Sequence, residues 1–156
     1  MVALRFASLF LLSTSIAVLG ANLPSDPAAS NYLTSTPPSL GTWAETRLTA
    51  IIKASSAPTL NAAFDAFLAQ DVKITLNNKP ISRADYISER LSKGFTPSAS
   101  INYTGSIAVP AVANSTQAGL VALFFRDHVS STVESAMNLV IASGKVSIIN
   151  QIALGL

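Results

Sequence analysis

The densest cluster of groups that could transfer a proton is the tripeptide Arg126-Asp127-His128, which contains the single histidine of the chain. A histidine or a carboxylate acts as a general acid or base when it points into a pocket and lies within reach of the reacting proton. The tripeptide stands where a predicted strand becomes a turn, and a solvated strand end is the alternative interpretation. His128 and Asp127 are therefore candidate catalytic residues only if a cavity lies beside them.

Glu134 and Asn138 are a second candidate pair, because they lie on the same face of the next predicted strand. If that face lined a pocket, Glu134 could act as a base and Asn138 as its hydrogen-bonding partner. The alternate positions, which include Met137 and Leu139, are more apolar. Since the more apolar face of a strand packs against the core, we expect Glu134 and Asn138 to face outward.

Aromatic side chains are the candidates for lining an apolar pocket. Trp43, Tyr86 and Tyr103 each combine an apolar ring with a polar tip, although ordinary core packing accounts for the same residue types. Phe124 and Asn138 complete the set of candidate pocket residues. With no cysteine and one histidine, thiol catalysis is excluded, and we expect neither a metal site nor a cofactor.

The elements that position these residues follow from the spacing of the apolar residues. Thr42 and Glu45 form a capping-box pattern at the start of a first helix, and a second amphipathic helix follows it. Residues 72–76 alternate in polarity as a half-buried strand does. A third helix is capped by Ser82 and ends at Gly94. Four long strands come next, at residues 100–109, 119–128, 132–142 and 145–154.

The strand segment 120–125 is apolar on both faces. A strand of this kind is central in its sheet or covered on both sides. The pattern therefore supports a further hypothesis, a homodimer that forms through the sheet.

Residues 66–91 carry a resemblance to a known family. A helix ends ahead of Asp71-Val72, a short strand and a turn follow, and a helix begins near Ser82-Arg83 with Tyr86 three residues on. This arrangement resembles the nuclear transport factor 2-like (snoaL-like, cystatin-like cone) superfamily over roughly residues 40–154. The resemblance implies an α+β fold in the order α-α-β-β-α-β-β-β-β. Three N-terminal helices would pack in the concave face of a curved, mainly antiparallel sheet and leave a conical apolar pocket.

The N-terminal residues 1–21 are typical of a secretory signal peptide. Arg5 precedes an apolar run that ends in the small residues Gly20 and Ala21; an uncleaved anchor is the alternative. We expect a flexible leader rich in Pro and Ser at residues 22–40, and a single snoaL-like domain at 41–156. The protein would then be secreted and extracellular, with no membrane association after cleavage.

Two glycosylation sequons agree with secretion. Asn102-Tyr103-Thr104 and Asn114-Ser115-Thr116 both have the Asn-x-Ser/Thr pattern, with a residue other than proline in the middle. We predict that one or both of Asn102 and Asn114 carry a glycan.

Charge and composition limit the function. Without Arg5, nine basic residues face eight acidic ones, and the absence of a basic cluster argues against a nucleic-acid partner. The catalytic residue sets of the family's enzymes have no complete counterpart in this chain. The sequence thus favours binding of a small apolar ligand or a partner protein without catalysis. The alternative is a lyase, isomerase or hydrolase that transfers a proton on a small hydrophobic substrate.

Overall fold

The computed structural model describes residues 38–155, which form three helices and one six-stranded sheet. The helices are α1 (Leu40–Ile52), α2 (Ala57–Phe67) and α3 (Arg83–Ser92). The strands are β1 (Leu68–Leu76), β2 (Lys79–Ile81), β3 (Ser100–Pro110), β4 (Gly119–His128), β5 (Thr132–Ala142) and β6 (Lys145–Gly155). The order α-α-β-β-α-β-β-β-β and the α+β class confirm the predicted fold. The predicted signal peptide and residues 22–37 of the predicted leader lie outside the described residues.

The sheet has the strand order β2-β1-β6-β5-β4-β3. β1 runs parallel to β6, and the other neighbouring strands are antiparallel. The last four strands form a meander because short connections join antiparallel neighbours directly. β3 is an edge strand, which suits the proline at its end, since a proline cannot donate to a further strand.

Helix caps explain where the helices begin, and they correct one prediction. α1 begins at Leu40, because the side chain of Ser39 accepts a hydrogen bond from the backbone N–H of Thr42. The capping box predicted at Thr42 and Glu45 is therefore wrong, and α1 starts earlier than predicted. α3 follows Ser82 as predicted, and Gly94 has the positive φ of 72° that ends such a helix.

β1 is also longer than the alternation in the sequence indicated. It begins at Leu68 rather than at residue 72, because Leu68 pairs with Val146 of β6 before the register shifts ahead of Lys73. Pairing with a distant strand extended this element beyond its alternating segment.

The core lies between the helices and one face of the sheet, which we call the inner face. On β4 the inner-face residues Val121, Leu123 and Phe125 are buried, while Leu120 and Phe124 on the opposite, outer face are 55% and 46% exposed. β4 is an interior strand, as its apolar sequence predicted, but the described residues leave its outer face uncovered. The largest fully buried side chains include Leu60, Phe64, Phe67, Leu123, Leu139 and Ile149.

Candidate functional site

A cleft opens at one end of the inner face, where α3 passes the C-terminal end of β4. Its walls include the apolar side chains of Ile51, Phe64, Phe125 and Met137. The cavity has a volume of about 70 Å³. A space of this size takes a few water molecules or a small ligand, whereas drug-sized ligands occupy about 300–1,000 Å³. The polar residues that line it are Tyr86, Glu89, Arg90, Lys93, Asp127 and Gln151.

Asp127 is the acidic group that the sheet directs into this cleft. It continues the inward-facing series of β4 after Phe125, and it is only 7% exposed. Burial raises the pKa of Asp127, while the positive charges of Lys93 and Arg90 act in the opposite direction. A carboxyl group that holds its proton more strongly in a cleft is a candidate for ligand binding or proton transfer.

A chain of hydrogen bonds crosses the cleft from α3 to the sheet. The phenol of Tyr86 donates to Oε1 of Gln151 at 2.7 Å, and Nε2 of Gln151 donates to Oγ of Ser135 at 3.3 Å. Burial raises the pKa of Tyr86, and the negative charges of Glu89 and Asp127 raise it further. Tyr86 therefore remains a neutral hydrogen-bonding group at physiological pH.

Arg90 joins α1 to α3 at the mouth of the cleft. It is 8% exposed; its Nη2 donates to the carbonyl of Ile52 at 3.0 Å and its Nη1 to the carbonyl of Gly94 at 2.9 Å. These bonds tie the end of α1 to the end of α3 and satisfy a carbonyl that the last turn of α1 leaves without a helical partner. Burial lowers the pKa of Arg90, and the charge of Asp127 raises it.

The candidate catalytic residues of the sequence analysis separate onto opposite faces of the sheet. Asp127 lines the cleft, whereas His128 is exposed on the outer face and hydrogen-bonds Thr132 through Nδ1 at 2.8 Å. Glu134 forms an ion pair with Arg126 on the outer face. His128 and Glu134 therefore cannot act on a ligand in the cleft, as expected if their strand positions face solvent.

Two of the candidate pocket residues lie on the outer face: the assignment of Phe124 to the pocket is wrong, and Asn138, which was also a pocket candidate, faces outward as its strand pattern indicated. Phe124 and Asn138 follow the outward positions of β4 and β5, where Ala122 pairs with Asn138. They face outward because Leu123 and Met137, at the neighbouring positions, pack into the core. A strand turns successive side chains to opposite faces, and burial of the more apolar set decides which face is inside.

The three candidate residues with polar aromatic side chains also lie in different parts of the fold. Tyr86 lines the cleft. Trp43 packs against Phe67 with ring centroids 5.9 Å apart, and the phenol of Tyr103 donates to the carbonyl of Glu45 at 2.7 Å. Trp43 and Tyr103 thus support the packing of α1 and lie outside the set of residues that line the cleft, so assigning them to it is also wrong.

Arg90, Gln151 and Ser135 belong to the polar part of the molecule around the cleft, but they were not among the site residues predicted from the sequence. Arg90 stands four residues after Tyr86, which places both on one side of a helix. Asp127 could also have been placed inside from the alternation Val121, Leu123, Phe125 along its strand. Gln151 had no comparable signal, because its partner Tyr86 is 65 residues away in sequence.

The two sequons lie at exposed positions. Asn102 is exposed on the edge strand β3, and Asn114 is exposed between β3 and β4 with a positive φ of 60°. Their glycosylation stays a prediction.

Two further features of the described residues bear on function. Between residues 38 and 155, no group of three or more His, Cys, Asp or Glu side chains is arranged to hold a metal ion. In the same part of the chain, no helix is long and apolar enough to cross a membrane.

Comparison with solved structures identifies the fold. A chain of the Candida albicans Mtr2–Mex67 M domain complex superposes with a TM-score of 0.55 at 13% identity, covering 77% of this chain and 97% of that one. A nuclear transport factor 2-like protein of unknown function from Shewanella baltica gives 0.52 at 12% identity, with 75% and 91% covered. A candidate ketosteroid isomerase from Kribbella flavida gives 0.51 at 16% identity, with 76% and 81% covered.

The chain therefore has the nuclear transport factor 2-like fold, and the fold expected from the resemblance in the sequence is confirmed. No protein-family model and no curated protein matches it in sequence. Proteins with this fold include members of protein complexes as well as enzyme candidates, so the fold is compatible with a pocket but does not select one activity.

Proposed function

We propose that the chain is a secreted binding protein whose cleft takes a small, largely apolar molecule with one hydrogen-bonding group. The position of Asp127 carries the proposal. It is a buried carboxyl at the wall of a cleft with both apolar and polar lining residues, and no hydrogen bond joins its side chain to another described group. The carboxyl oxygens of Asp127 are not among the fully buried atoms that lack a partner, so they remain accessible from the cleft, where a ligand group could donate a hydrogen bond to them.

The size and polarity of the cleft narrow the ligand class. A cavity of about 70 Å³ suits a molecule of few non-hydrogen atoms, such as a small phenol, alcohol or amide. Phe64, Phe125 and Met137 would contact its apolar part, since burial of apolar surface supplies most of the driving force. Asp127 would fix the orientation of its polar group.

Thermal unfolding in the presence of small ligands tests this proposal. We expect phenol, p-cresol or benzyl alcohol to raise the unfolding temperature of the wild-type protein, because a ligand that binds only the folded state stabilises it by mass action. Asp127→Ala should abolish or strongly reduce the shift. Glu134→Gln is the matched control, because it removes a carboxylate from the outer face and should leave the shift unchanged.

Failure of every compound to shift the wild-type protein would count against a ligand cleft. Equal shifts for the wild type and Asp127→Ala would show that Asp127 does not contact the ligand.

Proton transfer is a second candidate function, supported by the raised pKa of Asp127. A carboxylate whose pKa lies closer to neutrality is a better general base at physiological pH. Tyr86 and Gln151 line the same cleft and could hydrogen-bond a substrate carbonyl. This function predicts that the protein catalyses exchange of the α-hydrogens of a small ketone in D₂O, as measured by proton NMR. Asp127→Asn should remove the exchange, and a rate equal to that of buffer for the wild type would exclude it.

Secretion is proposed from the N-terminal sequence and the two sequons. The full chain expressed in a eukaryotic host should appear in the medium with a new N-terminus near residue 21 or 22. N-terminal sequencing of the secreted protein measures this directly, and retention of the intact chain in the membrane fraction would support an uncleaved anchor instead.

A further inference from the structure

The outer face of the sheet carries an apolar surface that the described residues leave exposed to solvent. Six large apolar side chains on it are between 41% and 64% exposed. Single exposed apolar residues are ordinary, but a contiguous set usually marks a surface that another group covers. The six residues are Ile107, Val109, Leu120, Phe124, Ile152 and Leu154.

A groove on this face runs beside the ion pair of Arg126 and Glu134. Phe124, Ile152 and Leu154 supply its apolar wall, and it has a volume of about 290 Å³. Thr104, the last residue of the first sequon, lines the same groove. The surface thus offers apolar side chains and charged hydrogen-bonding groups next to each other.

Asn102 lies on the same face, at the edge of this groove. It pairs with Arg126 of β4, whose side chain points outward to Glu134 of β5. Phe124 is the next outward residue on β4 after Arg126, and the register of β3 shifts between Tyr103 and Gly105, so Asn102 and Phe124 are near neighbours across this shift. Phe124 itself pairs with Gly105, and its ring lies over this glycine, because a Cβ there would be 3.7 Å from Cδ2 of Phe124.

We propose that Asn102 carries an N-linked glycan whose first sugars lie in this groove and cover the apolar surface around Phe124. N-acetylglucosamine presents C–H groups on its ring faces and hydroxyl and amide groups around its rim. The C–H groups would contact Phe124, while the rim groups would hydrogen-bond Arg126 and Glu134. The inference rests on the proposed secretion, because only a chain that enters the secretory pathway meets the glycosylation machinery.

The modification is a glycosyl transfer from a lipid pyrophosphate-linked oligosaccharide. Nδ2 of Asn102 forms a bond to C1 of the first N-acetylglucosamine, and the bond between C1 and the pyrophosphate oxygen breaks. The lipid pyrophosphate leaves with the bonding electron pair, and the amide loses one proton to a base. Asn102 is exposed on an edge strand, and this position leaves room for the first sugar of the glycan.

The covering glycan and a homodimer through the outer face compete for the same surface. A bulky glycan at Asn102 would hold a second sheet away from Phe124 and Leu154. The glycosylated protein should therefore be a monomer, whereas the bare protein should associate through its exposed apolar surface.

The experiment compares three forms of the full chain secreted from a glycosylating eukaryotic cell: wild type, Asn102→Gln and Asn114→Gln. Peptide mass mapping measures occupancy, light scattering measures the oligomeric state, and an environment-sensitive dye measures exposed apolar surface. We expect a glycan on Asn102 in a monomeric wild type. Asn102→Gln should lose it, bind several-fold more dye and form dimers, while Asn114→Gln should match the wild type in dye binding and mass in solution.

Two further variants test whether the effects of Asn102→Gln come from the loss of the glycan and from the exposure of Phe124. Thr104→Ala destroys the sequon but keeps Asn102, so it should behave as Asn102→Gln does. Adding Phe124→Ser to Asn102→Gln should return dye binding and oligomeric state toward those of the wild type.

Several results would overturn the proposal. They are an unmodified Asn102 in the secreted wild type, a glycosylated wild type that is already a dimer, and an Asn102→Gln variant with unchanged dye binding. Absence of the chain from the medium would overturn it together with the secretion proposal, whereas secretion without a glycan on Asn102 would overturn this inference alone.

Discussion

Replacing Arg90 with methionine removes the group that ties α1 to α3 while keeping an unbranched side chain in its place. The guanidinium donates to the carbonyls of Ile52 and Gly94. Ile52 is buried, so without Arg90 water cannot easily replace the lost bond, and a buried unsatisfied carbonyl costs about 1–3 kcal/mol. Gly94 is half-buried, so water can reach its carbonyl more readily.

A second effect of the substitution opposes this loss of folding stability. The folded protein no longer has to bury a guanidinium, which costs several kcal/mol per ion before its hydrogen bonds are counted. Arg90 still bears part of this desolvation cost, because its Nε is buried without a hydrogen-bond partner. We therefore expect Arg90→Met to lower the free energy of unfolding by about 2 kcal/mol, equivalent to a fall in Tm of roughly 6–10 °C for a domain of this size.

Urea unfolding followed by circular dichroism measures the change, with Arg47→Met as the matched control. Arg47 is exposed on α1, so its substitution should change the free energy of unfolding by less than about 0.5 kcal/mol. Arg90→Lys should fall between wild type and Arg90→Met, because a single ammonium group cannot span both carbonyls as the planar guanidinium does. An Arg90→Met variant as stable as the wild type would refute a stabilising role for these two bonds.

Three other substitutions compare the inside of the fold with its surface. Because the pKa of Asp127 is raised in the folded protein, the folded state holds this proton at pH values where the unfolded chain has released it, so stability falls as the pH rises above about 4. Asp127→Asn should therefore raise the urea midpoint relative to wild type at pH 7, with the difference vanishing below about pH 4; a lower midpoint at pH 7 would contradict this sign. Leu123→Ala, at a fully buried position, should cost about 2–5 kcal/mol, whereas Leu120→Ala, on the outer face of the same strand, should cost far less, and similar losses in urea unfolding would contradict the assigned faces.

Most of the architecture could be predicted from local patterns. The alternation and turn residues placed the starts of β3, β4, β5 and β6 correctly, because a strand with one buried face repeats every two residues. The ends of helices and strands were predicted less accurately where contacts with other parts of the chain decide them. β1 gains its first residues by pairing with β6, and α1 is capped by Ser39 rather than by the predicted Thr42.

The candidate site was predicted less completely, for a physical reason. A strand pattern groups residues by face, and it indicates which face the helices cover only where one face is clearly the more apolar, which β4 does not offer. Asp127 and His128 are neighbours in sequence and lie on opposite faces of the sheet. The hydrogen bond between Tyr86 and Gln151 joins α3 to β6, two elements that only the folded sheet brings together.

The sequence by itself determined the order of helices and strands and the set of polar side chains from which a site could be built. Those properties depend on neighbours within a few residues, through helical and strand periodicity and through caps. Only the tertiary structure decided that Asp127 lies in the cleft while its neighbour His128 is exposed on the outer face. That choice depends on how much apolar surface each face of the whole sheet buries against α1 and α2, and this is a property of the assembled fold.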